Sequence, residues 1–331
     1  MRVIRGIAAR IRRGDSIPAP LALVLSACTP AVRAGMAVRK LRRVHRVNAR
    51  VISFGNITAG GTGKTPAVIE RAQREIAAGH RVAVLTRGYA APSGNRPADS
   101  TDLRGETPYH ALGDEAALIL QKVPGVVVIK NADRVKGAQR AVDLHKCDVL
   151  LLDDGFQYLR LARDEDIVLI DATKPFGNGH LLPRGILREP PDVLNRATHI
   201  IVAHADLSQD ITALDTRIRE LAPRSPIRHT RHAPVSIRSM ASGDRFPLEW
   251  LLGREVNVVC AIANPDNFVK TILSLGATVP KSLFAKDHAP IHKALDLVAD
   301  TVILTEKDAV RMAPPCPANV YVLEIALMDL A

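Results

Sequence analysis

Aromatic residues are scarce in this chain: one Trp, four Tyr and six Phe, 3% of 331 residues. That scarcity argues against stacked platforms for single-stranded nucleic acid. The four cysteines, Cys28, Cys147, Cys260 and Cys316, stand far apart, which excludes a disulfide framework and a zinc-ligand spacing and suits a reducing compartment. Acidic residues are the minority charge, 34 against 45 Lys and Arg, so the net charge is +11. Such a surplus favours an anionic partner. On charge alone nucleic acid, anionic lipid and phosphorylated small molecules remain open, but no helix-turn-helix, zinc or aromatic-interleaved pattern supports nucleic acid. The apolar run Ile17–Val32 covers sixteen residues and is broken by Pro18, Pro20 and Pro30, short of the roughly 20 that cross a bilayer. With 47% hydrophobic and 24% charged residues, the composition is that of a folded protein with a soft expectation of two domains.

What is present is one organising stretch, Val51-Ile-Ser-Phe-Gly-Asn-Ile-Thr-Ala-Gly-Gly-Thr-Gly-Lys-Thr65, followed by Pro66 and a helical pattern. A β-favouring run breaks into glycines and ends in Gly63-Lys64-Thr65, the order of parts in a strand, a phosphate-cradling loop and a helix start. Thr58, Gly60, Gly61, Thr62, Gly63, Lys64 and Thr65 are the candidate nucleotide-binding residues. Backbone N–H groups and the helix N-terminus would face phosphate, Lys64 would reach the β- and γ-phosphates, and the Thr65 hydroxyl would sit on Mg²⁺. The strict pattern has glycine where Thr58 stands; Gly60 and Gly61 supply the turn instead. A glycine-rich loop that binds nothing is the alternative.

Arg2, Arg5, Arg10, Arg12 and Arg13 precede the apolar run, and Arg33, Arg39, Lys40, Arg42, Arg43 and Arg46 follow it. With Leu25-Ser-Ala-Cys28 this imitates a secretory signal carrying a lipid-attachment cysteine. Cleavage there would take a nucleotide-binding domain into a compartment with little ATP. The preferred expectation is an amphipathic or shallowly inserted helical segment with its charges at the headgroups. A helical hairpin packed on the main domain is the other reading.

Strand and helix signals then alternate: strand Arg81–Thr86, loop Ala91–Leu103, helix Ala116–Lys122 opened by Gly113-Asp-Glu115, strand Val126–Lys130, helix Arg134–Leu144, strand Val149–Leu152. Such alternation implies a parallel sheet. Asp153 and Asp154 follow the last of these strands, where ligands of open parallel sheets collect and where a phosphate-loop enzyme holds Mg²⁺. Acidic pairs also occur as plain turn residues. Strands Asp166–Asp171 and Thr198–Ala203, a glycine- and proline-rich loop with Arg184, Arg188 and Glu189, and helix Ile211–Leu221 complete this part. Ala222–Arg238, rich in Pro, Arg, His and Ser, reads as a connector. Beyond it an α/β pattern restarts, with strands Glu255–Ala261, Thr301–Leu304 and Val320–Ile325 and helix Pro265–Leu275. The expected organisation is 1–50 as the basic, apolar N-terminal segment, 51–228 as the phosphate-loop core and 229–331 as a smaller α/β domain. Taken alone, His288 reads as a surface or cap histidine.

Gly55-Asn-Ile-Thr-Ala-Gly-Gly-Thr-Gly-Lys-Thr-Pro66, Arg87-Gly-Tyr89, Gly113-Asp-Glu115, Asp153-Asp-Gly-Phe-Gln157, Phe176-Gly-Asn-Gly179, Leu187-Arg-Glu-Pro190, Ala263-Asn-Pro265, Asp287-His288 and Thr305-Glu-Lys-Asp-Ala309 resemble, in order, the motifs of the tetraacyldisaccharide 4'-kinase family of lipid A biosynthesis. Thr58 is part of that family's loop. The resemblance implies a mostly parallel, helix-flanked P-loop NTPase-like sheet with a second, smaller α/β domain closing over an active-site cleft. It implies transfer of the ATP γ-phosphate to the 4'-hydroxyl of a tetraacylated glucosamine disaccharide 1-phosphate, with ATP and Mg²⁺. The place implied is the cytoplasmic face of a bacterial inner membrane, peripheral or monotopic, against an anionic membrane surface, with no nucleic acid and no obligate protein partner.

By the same resemblance Lys64 and Thr65 match the phosphate and Mg²⁺ residues, Asp153 and Asp154 the metal-side pair, Asp114 the catalytic aspartate and His288 its partner. Tyr89, Glu115, Arg188 and Glu189 match further cleft residues. Ala116, Arg184 and Ile186 depart from the common pattern without removing a reactive group. A sugar hydroxyl has a high pKa, so attack on phosphorus benefits from a base, and an Asp–His pair can accept that proton. If His288 comes from the smaller domain, closure would assemble the site and exclude water. The competing classes are another phosphate-loop ATPase or ligase, and a nucleotide-binding membrane module without sugar chemistry.

Overall fold

A computed structural model describes residues 18–41, 43–89, 91–262, 265–286, 300–312 and 315–330, together with Ile11, Ile291 and Leu295. The strands in chain order are β1 (Arg50–Gly55), β2 (Val82–Thr86), β3 (Ala98–Asp99), β4 (Val127–Lys130), β5 (Val149–Leu152), β6 (Glu165–Asp171), β7 (His199–Ala203), β8 (Ile227–Ser239), β9 (Arg245–Phe246), β10 (Asn257–Cys260), β11 (Ser282–Phe284), β12 (Val302–Thr305) and β13 (Val320–Asp329). They belong to two compact units. The first comprises Met1–Arg87, Gly125–Arg231 and Met328–Ala331, and the second Gly88–Pro124 and His232–Leu327.

In the first unit β1 is flanked by β5 and β6, with β2 and β4 beyond β5 and with β7 and the start of β8 beyond β6. Every one of these pairings is parallel, as the alternating strand and helix signals require. Strands this deeply covered are continuous apolar runs: β5 is Val-Leu-Leu-Leu and all four residues are buried. One face of β1, β2 and β5 (Val51, Ala83, Leu85, Leu150, Leu152) packs with Val135, Ala138 and Ala141, which recur at helical spacing on the helix Arg134–Asp143. A second cluster joins Val168, Ile170, Ile200 and Val202 to Leu214 and Ile218 of the helix Ile211–Leu221.

The second unit has its own parallel run, β11-β10-β12-β13, with β9 antiparallel to the far end of β8. Its core gathers Val256, Val258, Cys260, Ile272, Ile303 and Leu323. The mostly parallel α/β architecture with a second, smaller unit agrees with the sequence expectation.

Two boundaries differ from it. Gly88–Pro124 belongs to the second unit, not to a continuous core over 51–228, because its helix Asp114–Lys122 pairs with the far end of the chain: Lys122 with Glu306 and Glu324, and Asp114 with Arg311. The segment 1–50 groups with the first unit. The stretch expected to be a connector is largely β8, thirteen residues long, on which the chain passes from the first unit to the second. Its polar composition hid it: only Thr230, Ala233, Ile237 and Ser239 are buried, at no regular spacing, and Pro234 interrupts the pattern. A short helix, Pro108–Leu112, capped by Thr107, also lies where no helix was expected.

The N-terminal segment forms helices Ala19–Ala27 and Thr29–Lys40. Cys28 keeps right-handed helical backbone, and Val32 N donates to its carbonyl, so the two follow one another with little break. By length and composition Ala19–Val38 is long and apolar enough to cross a membrane, and none of it is buried.

Candidate active site

The centre of the first unit is the carboxyl end of β1. Gly55 closes that strand without a side chain because Phe156 lies against it: a Cβ there would stand 2.4 Å from Phe156 Cβ and 2.7 Å from its backbone nitrogen. Asn56 follows, wholly buried, and ties the loop together. Its Nδ2 donates to the Thr58 carbonyl at 2.7 Å, and its own carbonyl accepts Gln157 Nε2 at 2.9 Å. Thr58 is buried and bridges Leu187, while Ala59 N donates to Ile186 O at 2.6 Å and Arg188 N to Ile57 O at 2.7 Å. The arginine-bearing loop is therefore laced to the phosphate loop by main-chain bonds.

Gly60 and Gly61 are exposed and open on their Cβ side. Gly63 takes a left-handed backbone (φ 76°, ψ 24°), which glycine adopts without strain, and the helix Lys64–Ala77 starts directly after it. That helix has no side-chain cap and no acidic residue in its first turn, so its leading N–H groups favour an anion. Thr65 is buried in the first turn, and Thr62 Oγ1 is buried with no hydrogen-bond partner among the described residues.

Lys64 donates to Asn56 Oδ1 at 3.2 Å and lies 3.4 Å from Asp154 Oδ1. Asp154 itself has a left-handed backbone (φ 55°) and takes a forked bond from Arg188 Nη1, 3.0 and 2.8 Å to its two oxygens. Burial pushes the Asp154 carboxyl up, but the charges of Lys64 and Arg188 outweigh it and hold the group below the ordinary carboxylate value. Asp153 is buried at the end of β5, its backbone N–H donating to Leu85 O at 3.0 Å. Arg134 is buried as well; burial pulls its guanidinium below its ordinary value, opposed by the charges of Asp153 and Asp154. Glu189 is buried and accepts Arg196 Nη2 at 3.0 Å, and that guanidinium lies 4.4 Å over the Phe156 ring, which gives Glu189 a structural task.

The second unit carries its own polar group. Asp114 begins the helix Asp114–Lys122; its Oδ1 accepts the Glu115 N–H at 2.9 Å and its Oδ2 accepts Arg311 Nη2 at 2.5 Å. Arg311 Nη1 donates to Asp308 Oδ1 at 3.1 Å and to Ala261 O at 3.2 Å. Glu115 pairs with Lys307 at 2.9 Å, and Tyr89 is 76% exposed. His288 lies outside the described residues, as do Asn264 and Asp287.

Lys64, Thr65, Asp153, Asp154 and Arg188 are thus brought to one end of one sheet, and Asp114 and Glu115 belong to the other unit. Asn56, Gln157, Arg134 and Arg311 were not singled out from sequence. Asn56 and Gln157 lie inside motifs already noted, whereas nothing local marks Arg311. The oxygen donors fit Mg²⁺: hydroxyl and carboxylate are hard ligands, and Mg²⁺ is usually held by one or two carboxylates together with substrate phosphates. No group of three or more His, Cys, Asp or Glu positioned for a metal occurs among the described residues.

A family model described as tetraacyldisaccharide-1-P 4'-kinase matches residues 16–329. A tetraacyldisaccharide 4'-kinase of Anaeromyxobacter dehalogenans (strain 2CP-C) is 40% identical over 299 residues, 87% of this chain and 79% of the relative. One from Syntrophus aciditrophicus (strain SB) is 37% identical over 320 residues, 89% and 85% of the two chains. Among solved structures, an "apo" form of LpxK from Aquifex aeolicus in complex with ATP superposes with a TM-score of 0.74 over 92% of this chain and 95% of that one. The sequence identity of that pair is 24%, so this likeness is one of fold.

Proposed function

The chain belongs to the tetraacyldisaccharide-1-P 4'-kinase family, and on that premise we propose that it transfers the γ-phosphate of ATP to the 4'-hydroxyl of a tetraacylated glucosamine disaccharide 1-phosphate. The observation that carries the chemistry is Lys64, set at the start of an uncapped helix and held between Asn56 and Asp154. A lysine so placed exchanges its carboxylate contact for phosphate oxygens when nucleotide enters, and the first-turn N–H groups bind the same anion. Arg188 holds Asp154 as Lys64 is drawn away, so the carboxylate keeps a partner. Thr65, Asp153 and Asp154 would hold Mg²⁺, which neutralises charge on the phosphates when bound. Asp114 accepts the proton of the attacking hydroxyl, with His288 as its partner; Tyr89 and Glu115 contact the sugar. Phosphoryl transfer asks little covalent chemistry of the protein, so positioning and charge compensation are the main tasks of these residues.

The enzyme works at an anionic membrane surface, on the cytoplasmic side where ATP is available. The apolar, unburied helices of the N-terminal segment and the arginines around them support this reading.

The test is transfer of labelled γ-phosphate to purified tetraacyl disaccharide 1-phosphate in mixed micelles, with the new phosphate located on the product. Lys64→Ala and Asp114→Ala are each expected to lower kcat by about 100-fold or more, the loss that follows removal of one preorganised charge-stabilising group. Wild-type protein that hydrolyses ATP without the lipid and leaves the lipid unphosphorylated would instead establish an acceptor-independent ATPase.

A further inference from the structure

Asp114 and Arg311, 197 residues apart in sequence, form a buried pair: their side chains are 3% and 2% exposed. Arg311 already has a complete partner in Asp308, three residues away and wholly buried. Asp308 is in turn fixed by Thr305 Oγ1, which donates to Oδ2 at 2.6 Å, and by Ala261 N, which donates to Oδ1 at 3.1 Å. One guanidinium therefore serves two buried carboxylates. A purely structural pair needs one, and the second carboxylate is the one that opens the helix Asp114–Lys122. Without a cation beside it, a carboxyl at this depth favours its neutral form, which cannot accept a proton.

We propose that Arg311 is a positioning residue for the phosphoryl transfer, keeping the buried Asp114 carboxylate ionised and fixing its rotation for proton transfer from the acceptor hydroxyl. This role rests on the reading that Asp114 takes that proton as the hydroxyl oxygen bonds to phosphorus and the bond from phosphorus to ADP breaks. Arg311 is suited to the task because its fork is planar and always charged, and because Asp308 and the Ala261 carbonyl hold one nitrogen while the other meets Asp114 Oδ2. Among the described residues, the charged groups next to this pair include Asp308, behind Arg311, and the Glu115–Lys307 pair, whose members balance.

The pH profile of kcat/KM separates this role from simple scaffolding. Full-length Arg311→Met, Arg311→Lys, Asp308→Asn and Asp114→Asn are compared with wild type in the mixed-micelle assay. Removing the cation in Arg311→Met is expected to lower kcat at least tenfold, leave KM for lipid within about threefold, and move the acid limb up by about one pH unit. Arg311→Lys restores the charge but not the fork, so the limb returns towards wild type while kcat stays reduced. Asp308→Asn deletes the competing negative charge and moves the limb the other way, to lower pH.

Limbs that stay at the wild-type pH in Arg311→Met and Asp308→Asn overturn the inference. Should Arg311→Met fail to fold by circular dichroism, Arg311→Lys and Asp308→Asn decide alone: Arg311→Lys with wild-type kcat beside an unmoved limb in Asp308→Asn overturns it. Asp114→Asn with undiminished kcat removes the premise that Asp114 is the base. An inactive Asp114→Asn beside unmoved limbs in the Arg311 and Asp308 variants removes only the positioning role of Arg311.

Discussion

Gly55 shows how tightly single positions are set around the phosphate loop. Its missing Cβ is the space taken by the Phe156 backbone and Cβ, so β1 and the turn after β5 approach more closely than side chains allow. Gly55→Ala is expected to destabilise the protein by about 1–3 kcal/mol, the range for overpacking a filled interior. A urea titration checks it, and an unchanged midpoint would mean that the turn at Asp154–Phe156 yields freely. The same turn carries the left-handed Asp154, so nucleotide affinity should fall along with stability. Residue identity along this loop was legible from sequence, because Lys64, Thr65 and the Asp pair stand at fixed offsets from strand ends. Asn56 was legible only as a member of the motif; its work of bracing Lys64, Thr58 and Gln157 needs their positions in space.

At the scale of elements, the helix Arg134–Asp143 is anchored by Asp133, whose side chain accepts Val135 N at 3.1 Å and the Tyr158 hydroxyl at 2.8 Å. This cap also sets where Arg134 begins, beside Asp153 and Asp154. Asp133→Ala is expected to cost about 1–2 kcal/mol in a denaturant titration, as loss of an N-cap does.

On β13, Glu324 gathers Arg245 at 2.8 Å, Ser236 at 2.8 Å, Arg238 at 3.2 Å and Lys122 at 3.4 Å. Burial pushes its carboxyl up, but the bonds from Arg245 and Ser236 and the charge of Lys122 bring it down from 4.5 to about 2. Because the folded value lies below the unfolded one, the stabilisation is fully present above about pH 4.5 and is lost as pH falls towards 2. Urea midpoints of wild type should therefore fall more steeply across that window than those of Glu324→Gln; parallel curves would assign the acid sensitivity elsewhere. β8 was missed as a strand for a related reason. A strand with half-buried polar positions and an internal proline has no apolar alternation to read, and its pairing with β7 and β9 becomes visible only once those neighbours are in place.

At the scale of the whole molecule, the N-terminal helices leave Leu23, Val24 and Val38 between 56 and 75% exposed, and Leu41, just after them, is 85% exposed. Apolar side chains presented this way, beside a row of arginines, suit an interface of anionic headgroups over acyl chains. The full chain is expected to float with anionic vesicles and a deletion of residues 1–46 to remain in the soluble fraction. Salt should weaken the association without abolishing it, since only its electrostatic part is screened. Equal flotation of both proteins would place membrane contact elsewhere.

From sequence alone follow the alternation of strands and helices, the phosphate loop at the end of β1, the acidic pair at the end of β5 and the family to which these motifs belong. The first three rest on short-range periodicity and spacing, which the chain carries in any conformation, and the family rests on the resemblance of its ordered motifs. Only the tertiary structure decided that Gly88–Pro124 joins the second unit, that the polar stretch after Ala222 is largely a strand, and that Arg311 meets Asp114. Those outcomes depend on which side chains are buried together, and no local pattern encodes the partner of a buried charge 197 residues away.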